Sequence, residues 1–242
     1  QGEKMNEASV MPPVAQTLKK DFPEVEAATR LRNYGTPKLV YNNKSFKEDA
    51  FAFVDSNFFQ VFTLPLIEGN AKTALLEPNT VVITKALAKK YFGSEDPMGK
   101  VIAFKDGNNA ACKVTGVIDK VPVNSNFHFE LFASMSSLPE AREDSWMTSN
   151  FFTYLVLTKG YDYKKLEAKM PQVVEKYMGP QMLKAMGMSL ADFRKNGNDL
   201  SFHLEPITDI HLDPEYPQTL GQAANINNVY IFAAIAVFML LI

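Results

Sequence analysis

Hydrophobic positions along the chain change period several times, and each change marks an element. After Met11-Pro12-Pro13, the residues Val14, Leu18 and Phe22 recur at i, i+4 and i+8. Proline at the start and that spacing predict a short amphipathic helix that stops before Pro23. Val25, Ala27, Thr29 and Leu31 then alternate with Glu24, Glu26, Ala28 and Arg30, the pattern of a half-buried strand. Residues 39–41 and 46–54 flank Asn42-Asn43-Lys44 and predict a hairpin. The stretch 58–69 is aromatic-rich and interrupted by Pro65. Residues 80–83 read as a short buried strand. Thr84 is placed to cap a helix over Lys85–Phe92, and Gly93 to end it. Residues 94–100 read as a loop. A second hairpin is predicted from Val101–Phe104 and 112–118 around Asp106-Gly107-Asn108-Asn109, and a further strand over 127–132.

Residues 151–158 form a strong strand pattern. Asp162 can cap the next helix, whose apolar stripe is Leu166, Met170, Val173, Val174 and Tyr177. Pro171 falls inside that stripe and predicts a kink or break. Residues 178–198 are rich in methionine, with one more short helix around 190–195. Leu200, Phe202 and Leu204 alternate with Ser201, His203 and Glu205 and read as a last strand. Residues 11–31 and 151–205 thus each hold a helix followed by a strand, with a β-rich stretch between them. The expected fold class is α+β. One domain is built from both chain ends, 1–55 and 150–228, and a smaller β-rich α+β domain is inserted over 56–149.

The last residues, 229–242, read VYIFAAIAVFMLLI without a charge. A helix apolar all round must be buried on every side, and this one carries no stop signal. It falls short of the roughly 20 apolar residues a membrane span needs, which alone fits a buried core helix; the all-round apolarity and missing stop signal favour the start of a truncated transmembrane helix. Between Glu205 and Asn228 there is no Lys or Arg; the last basic residues before the run are Arg194 and Lys195. Cytoplasmic flanks of membrane helices are enriched in both, which places 1–228 on the outer side. The polar start, 1–10, carries no secretory signal.

Composition narrows the classes further. A chain of 242 residues has ample core. A net charge of -2 lacks the basic footprint of a nucleic-acid binder. Eighteen Phe and nine Tyr against one Trp fit a strand-rich, aromatic-packed fold. The one cysteine, Cys112, has no partner for a disulfide and no zinc-ligand spacing around it; a buried free thiol is expected.

Four segments carry a resemblance to a known family. They are FFQVFTLPLIEGN at 58–70, VVITKALAKKYFG at 81–93, EDPMGKVI at 95–102 and VTGVIDKVPVNSNFHFELF at 114–132. In order and spacing they resemble the MacB-like periplasmic core domain. ITDIHLDPEY at 207–216, followed by NINNVYIFAAIAVFMLLI, resembles the lead-in to the second membrane helix of an FtsX-like permease. The resemblance implies an ABC transporter permease with four transmembrane helices and this domain between the first two. It implies a porter-like α/β part made from both chain ends plus an inserted smaller part. It also implies a homodimer or heterodimer in the cell inner membrane, this domain on the periplasmic side, and a cytoplasmic ABC ATPase as partner. Members couple ATP hydrolysis to efflux, lipoprotein extraction or regulation of a periplasmic partner protein. One departure is visible: the extended strand that usually follows the first membrane helix has no clear counterpart near Gln1.

No catalytic, cofactor-binding or metal-ligating residue stands out. No phosphate-binding glycine loop is present, so ATP hydrolysis is expected on a separate subunit or domain. His211 sits near Asp209, Asp213 and Glu215 without a recognised ligand spacing, and reads as a solvated loop. His203 falls on a polar face, exposed or hydrogen-bonded; His128 should point away from Phe127 and Phe129. A hydrolase would need a nucleophile elbow, and none occurs. The acid pairs Glu48-Asp49 and 140–144 read as solvated loops. The methionine set Met178, Met182, Met186 and Met188 reads first as helical core packing, and as a surface is the candidate for an adaptable contact with a partner or an apolar substrate. The chain is therefore expected to be no enzyme and to need no cofactor. A ligand-sensing domain of a membrane receptor is the alternative; a membrane-tethered hydrolase is a third, lacking any sign of its pocket.

Overall fold

The computed structural model describes residues 6–33, 35–105, 110–210 and 220. The chain divides into two compact units, one of residues 9–161 and one of 1–8 with 162–242.

In the unit 9–161 the alternating segments become strands of one mixed sheet. Helix α1 (Val14–Asp21) runs into β1 (Val25–Arg32), and Val14, Ala15 and Leu18 bury its apolar stripe. Next come β2 (Lys38–Tyr41), β3 (Lys44–Lys47), β4 (Phe51–Val54), α2 (Phe58–Val61) and β5 (Leu66–Gly69). They are followed by β6 (Thr80–Thr84), α3 (Lys85–Phe92), β7 (Val101–Phe104), β8 (Ala111–Ile118), β9 (Leu131–Ser134) and β10 (Phe152–Leu157). The strand order is β10-β1-β4-β9-β6-β8-β7-β2-β3, with β5 also on β8. β4–β9 and β6–β8 are parallel; the other pairs are antiparallel. β6 sits between β8 and β9 with all five residues buried, which explains its unbroken apolar run.

Several local expectations hold in detail. The hairpin at Asn42-Asn43 pairs Tyr41 with Lys44, and Asn42 takes the positive φ of 51° such a turn demands. Its second arm divides into β3 and β4, because the chain turns at Glu48-Asp49-Ala50 to leave β2 and join β1 and β9. Thr84 Oγ1 accepts from Leu87 N at 3.1 Å and caps α3, and Gly93 at φ 68° ends it. Gly69, at φ 90°, lies so close to β8 that a Cβ would stand 2.4 Å from Thr115 O. The second hairpin pairs β7 with β8; its turn, 106–109, lies outside the described residues.

Other expectations are corrected. The strand expected over 127–132 forms only at Leu131–Ser134. Phe127 and Phe129 instead drop into an aromatic cluster with Phe58, Phe59, Phe62 and Phe132. His128 between them is exposed, as the alternation required.

In the second unit the described helices are α4 (Tyr163–Glu167), α5 (Met170–Val173), α6 (Gly179–Met186) and α7 (Leu190–Lys195), with a π turn at Val174–Met178. The helix expected after Asp162 breaks once, just before Pro171 as that proline predicts, and then runs over 170–186 through a π segment at Val174–Met178. Pro171 starts a new helix. Pro180 has no N–H for the carbonyl four residues back, and the widened turn just before it accommodates the loss. α6 falls in the methionine segment, where helical packing is the first expectation. Gly187 closes it with a left-handed φ of 66°, and a Cβ on Gly179 would meet Leu190 Cδ1 at 3.0 Å. The strand expected at 200–205 is absent: Phe202 and Leu204 are half-buried and Ser201 and His203 exposed, so alternation survives without a ladder. β1 pairs directly with β10 in the antiparallel sense.

Among the described residues no helix is long and apolar enough to cross a membrane. The apolar run 229–242 lies outside them, as do His211, Asp213 and Glu215.

Candidate functional site

Arg30 organises the place where early and late segments of the unit 9–161 meet. Its position on β1 sets its side chain beside the end of β4, and its guanidinium is almost wholly enclosed. Nε donates to Asp55 Oδ2 at 3.1 Å and Nη2 to Asp55 Oδ1 at 3.0 Å, a two-pronged ion pair. Nη1 donates to the carbonyls of Pro12 and Ala141, both at 2.8 Å. The Arg30 amide also donates to Asp55 Oδ2, and the Asp55 amide to Arg30 O. Phe151 lies 5.5 Å from Arg30 Cζ, within cation–π range. Arg32, two residues on, donates to Glu140 at 2.9 Å and also stands over Phe151. One arginine thus ties the entry to α1, strands β1 and β4, the turn Pro139–Arg142 and the approach to β10. A lysine, with one point charge, could not hold those four acceptor atoms in one plane.

A second cluster surrounds the end of α3. Glu48, buried, accepts from Lys90 Nζ at 2.8 and 2.9 Å and from Tyr91 Oη at 2.5 Å. Burial, then the bond to Glu48, pushes the Tyr91 hydroxyl well above its usual range. Lys44 donates to the carbonyls of Lys90 and Tyr91, where a cation suits the helix C-terminus. Lys90 also stands over Phe46 at 4.6 Å. Glu48 is therefore not the solvated loop acid its sequence neighbourhood predicts. Its partners lie more than forty residues away, and no local pattern announces them.

Both clusters are saturated with protein partners and leave no reactive group free. Cys112 is buried as expected, and desolvation pushes its thiol up to about 11, away from nucleophilic use. Desolvation likewise raises Tyr154. Among the described residues no three His, Cys, Asp or Glu gather to hold a metal.

In the unit 162–242, Ser201 Oγ lies 3.0 Å from His203 Nε2, and His203 Nδ1 lies 2.9 Å from Glu167 Oε1. The order is that of a Ser–His–acid relay. It stands exposed on an irregular segment, however, and no strained turn presents Ser201. The bonds fasten 201–203 to α4, the hydrogen-bonded role expected of His203.

The four methionines separate. Met178 and Met182 are buried, Met186 is 57% exposed and Met188 half-buried. Leu183, which the methionine pattern missed, is 54% exposed beside Met186 on α6. The spacing i, i+3 would have found it once the helix was recognised.

The fold and these clusters define an α+β domain whose internal polar groups hold elements together. The profile of the MacB-like periplasmic core domain matches residues 2–173. The chain belongs to that family, the periplasmic domain of MacB/FtsX-like ABC transporter permeases, and is a periplasmic or extracellular part of a membrane transporter. The family is a transporter domain, not itself an enzyme. Among solved structures, the chain is similar to one described as a permease-protein domain from Porphyromonas gingivalis. Identity is 25% and the TM-score 0.63, covering 70% of this chain and 78% of that one. It is also similar to the extracellular domain of the noncanonic ABC-type transporter YknZ from Gram-positive bacteria. There identity is 15% and the TM-score 0.50, with coverages of 83% and 91%, a likeness of fold alone. The periplasmic region of MacB from Actinobacillus actinomycetemcomitans aligns at 18% identity and a TM-score of 0.49, with coverages of 83% and 86%. No match is found among curated proteins.

Proposed function

We propose that this domain works mechanically, passing movement driven by a cytoplasmic ABC ATPase to a substrate or partner outside the membrane. The observation that carries the reading is the Arg30 network, supported by the family match. Movement entering the chain near Pro12 reaches β4, the turn at Ala141 and the approach to β10 through one buried guanidinium. A stiff connection of that kind transmits displacement; it performs no chemistry. The permease is a homodimer or heterodimer in the inner membrane, anchored in part through the run 229–242. Its work is efflux, lipoprotein extraction or regulation of a periplasmic partner.

In the same proposal a porter-like part comes from 1–55 and 150–228, with 56–149 inserted. The antiparallel pairing of β1 with β10 supports the joining of the two chain ends. The test is a pull-down of the intact protein from native membranes, with partners identified by mass spectrometry. Recovery of an ATP-binding cassette protein is the expected result. Its absence from complexes kept intact in a control contradicts the proposal.

A further inference from the structure

We infer that the sheet edge at β3 takes an added strand from a protein partner, an extended segment in which acidic and apolar residues alternate. The inference deepens the reading above by giving the outside partner a chemistry, and rests on it only for the existence of such a partner.

Strands β8, β7, β2 and β3 lie side by side, and their inner face packs on α3 through residues such as Leu39, Ile102 and Cys112. The opposite face is open, and alternation sets lysines on it. The Lys105 amide donates to Lys38 O at 2.8 Å, and Lys38 pairs with Lys47, so three lysines stand abreast across β7, β2 and β3. Lys113, opposite Val101, adds a fourth on the same face. Neighbouring strands are about 4.8 Å apart, and like charges directly opposite destabilise a sheet. The four strands contain no Asp or Glu. Among the described residues no ion pair joins Lys47, Lys105 or Lys113 to an acid. Lysine on an edge strand guards against self-pairing, which accounts for Lys47. It does not account for Lys38, Lys105 and Lys113, which belong to inner strands or their ends.

The edge supplies the rest of the argument. β3 ends the strand order. The Glu48 amide donates to Pro37 O, so Glu48, Phe46 and Lys44 turn their backbone groups toward β2, while Ser45 and Lys47 turn theirs outward. Among the described residues those outward groups have no hydrogen-bond partner. A strand laid along them gains main-chain hydrogen bonds. Its side chains beside Ser45 and Lys47 meet the lysine face. Those between meet Phe46, which is 40% exposed and stands on the α3 side against Tyr91. Acid toward one face and apolar toward the other is the complement of that edge. A second copy is a poorer fit, because pairing β3 with β3 would merge two lysine faces. Lipid headgroups match the charge but make no use of the outward N–H and C=O groups.

The probe is a fluorescein-labelled peptide of alternating Glu and Val, about six residues long to match a strand. It is titrated by fluorescence anisotropy against the intact protein in phosphatidylcholine nanodiscs. The expected result is saturable binding that weakens with salt and falls roughly tenfold in Lys47→Gln/Lys105→Gln/Lys113→Gln. The same peptide N-methylated along its backbone leaves the protein untouched and should not bind. Ser45→Pro removes an outward N–H that β2 does not use, and should have the same effect. Equal binding of a peptide with its Glu and Val in two blocks overturns the inference, as does equal binding of the N-methylated one. No loss in the lysine variant also overturns it. Phosphatidylglycerol vesicles that bind the wild type but not the lysine variant, with no peptide binding, would assign the face to lipid instead. Dimers lost in Ser45→Pro, again without peptide binding, would assign the edge to a second copy. None of these readouts involves the ATPase, so a pull-down that fails to recover one contradicts the permease reading and leaves peptide binding standing.

Discussion

The unit 9–161 and the described part of the unit 162–242 use charge in opposite ways. In the first, Arg30–Asp55 and Lys90–Glu48 each join segments far apart in sequence, with at least one partner buried. In the second, Arg194 pairs with Glu175 and Asp199, and Lys195 with Asp192, all at the surface. An enclosed charge that loses its partner has no water to turn to, whereas an exposed one does. The first unit is therefore cross-linked between distant segments by its polar groups. The second, as described, is helical, with a break before Pro171 and a π segment before Pro180, and buries residues such as Leu166, Val174, Met178 and Met182.

Breaking the buried pair gives the largest expected effect. Arg30→Met strands Asp55 and two carbonyls and should cost about 3–5 kcal/mol of unfolding free energy, read from urea melts. Arg194→Met should leave the same melts unmoved. Equal effects would erase the contrast.

Alkaline pH probes the enclosed groups next. Tyr91 and Tyr154 are raised from 10.0, so above that pH the unfolded chain loses protons that the folded one keeps. Stability is then full below pH 10 and falls as pH rises, by about 1.4 kcal/mol per pH unit for each such group. Tyr91→Phe and Tyr154→Phe should each make the decline shallower.

How much of this was legible in the sequence depends on range. Thr84, Gly93, Asp162 and the Asn42-Asn43 turn act through neighbours two to four residues away, and each was readable. Thr84→Ala should cost about 1 kcal/mol by loss of its cap. Arg30 and Glu48 act through partners 18 to 111 and 42 to 43 residues distant. No periodicity encodes that reach, so Arg30 read as the polar face of a strand and Glu48 as a loop acid. The alternation of Leu200, Phe202 and Leu204 misled because a strand requires a pairing edge as well as a pattern. In the methionine segment, composition pointed to the right neighbourhood, but only the helix phase of α6 distinguishes buried Met182 from exposed Met186.

The smallest expected change has the opposite sign. The Thr29 hydroxyl is buried on β1 with no hydrogen-bond partner among the described residues. Thr29→Val keeps the shape and removes the orphan, and should raise stability by up to about 1 kcal/mol.

The most direct test of mechanical coupling is a distance. Labels at Val123→Cys and Met186→Cys place one probe in each unit of the intact permease assembled with its ATPase. Pulsed electron spin resonance then compares the nucleotide-free state with the ATP-bound state. The account predicts a displaced distance distribution on ATP binding, reversed after hydrolysis. An unchanged distribution in a complex that is hydrolysing ATP would contradict it.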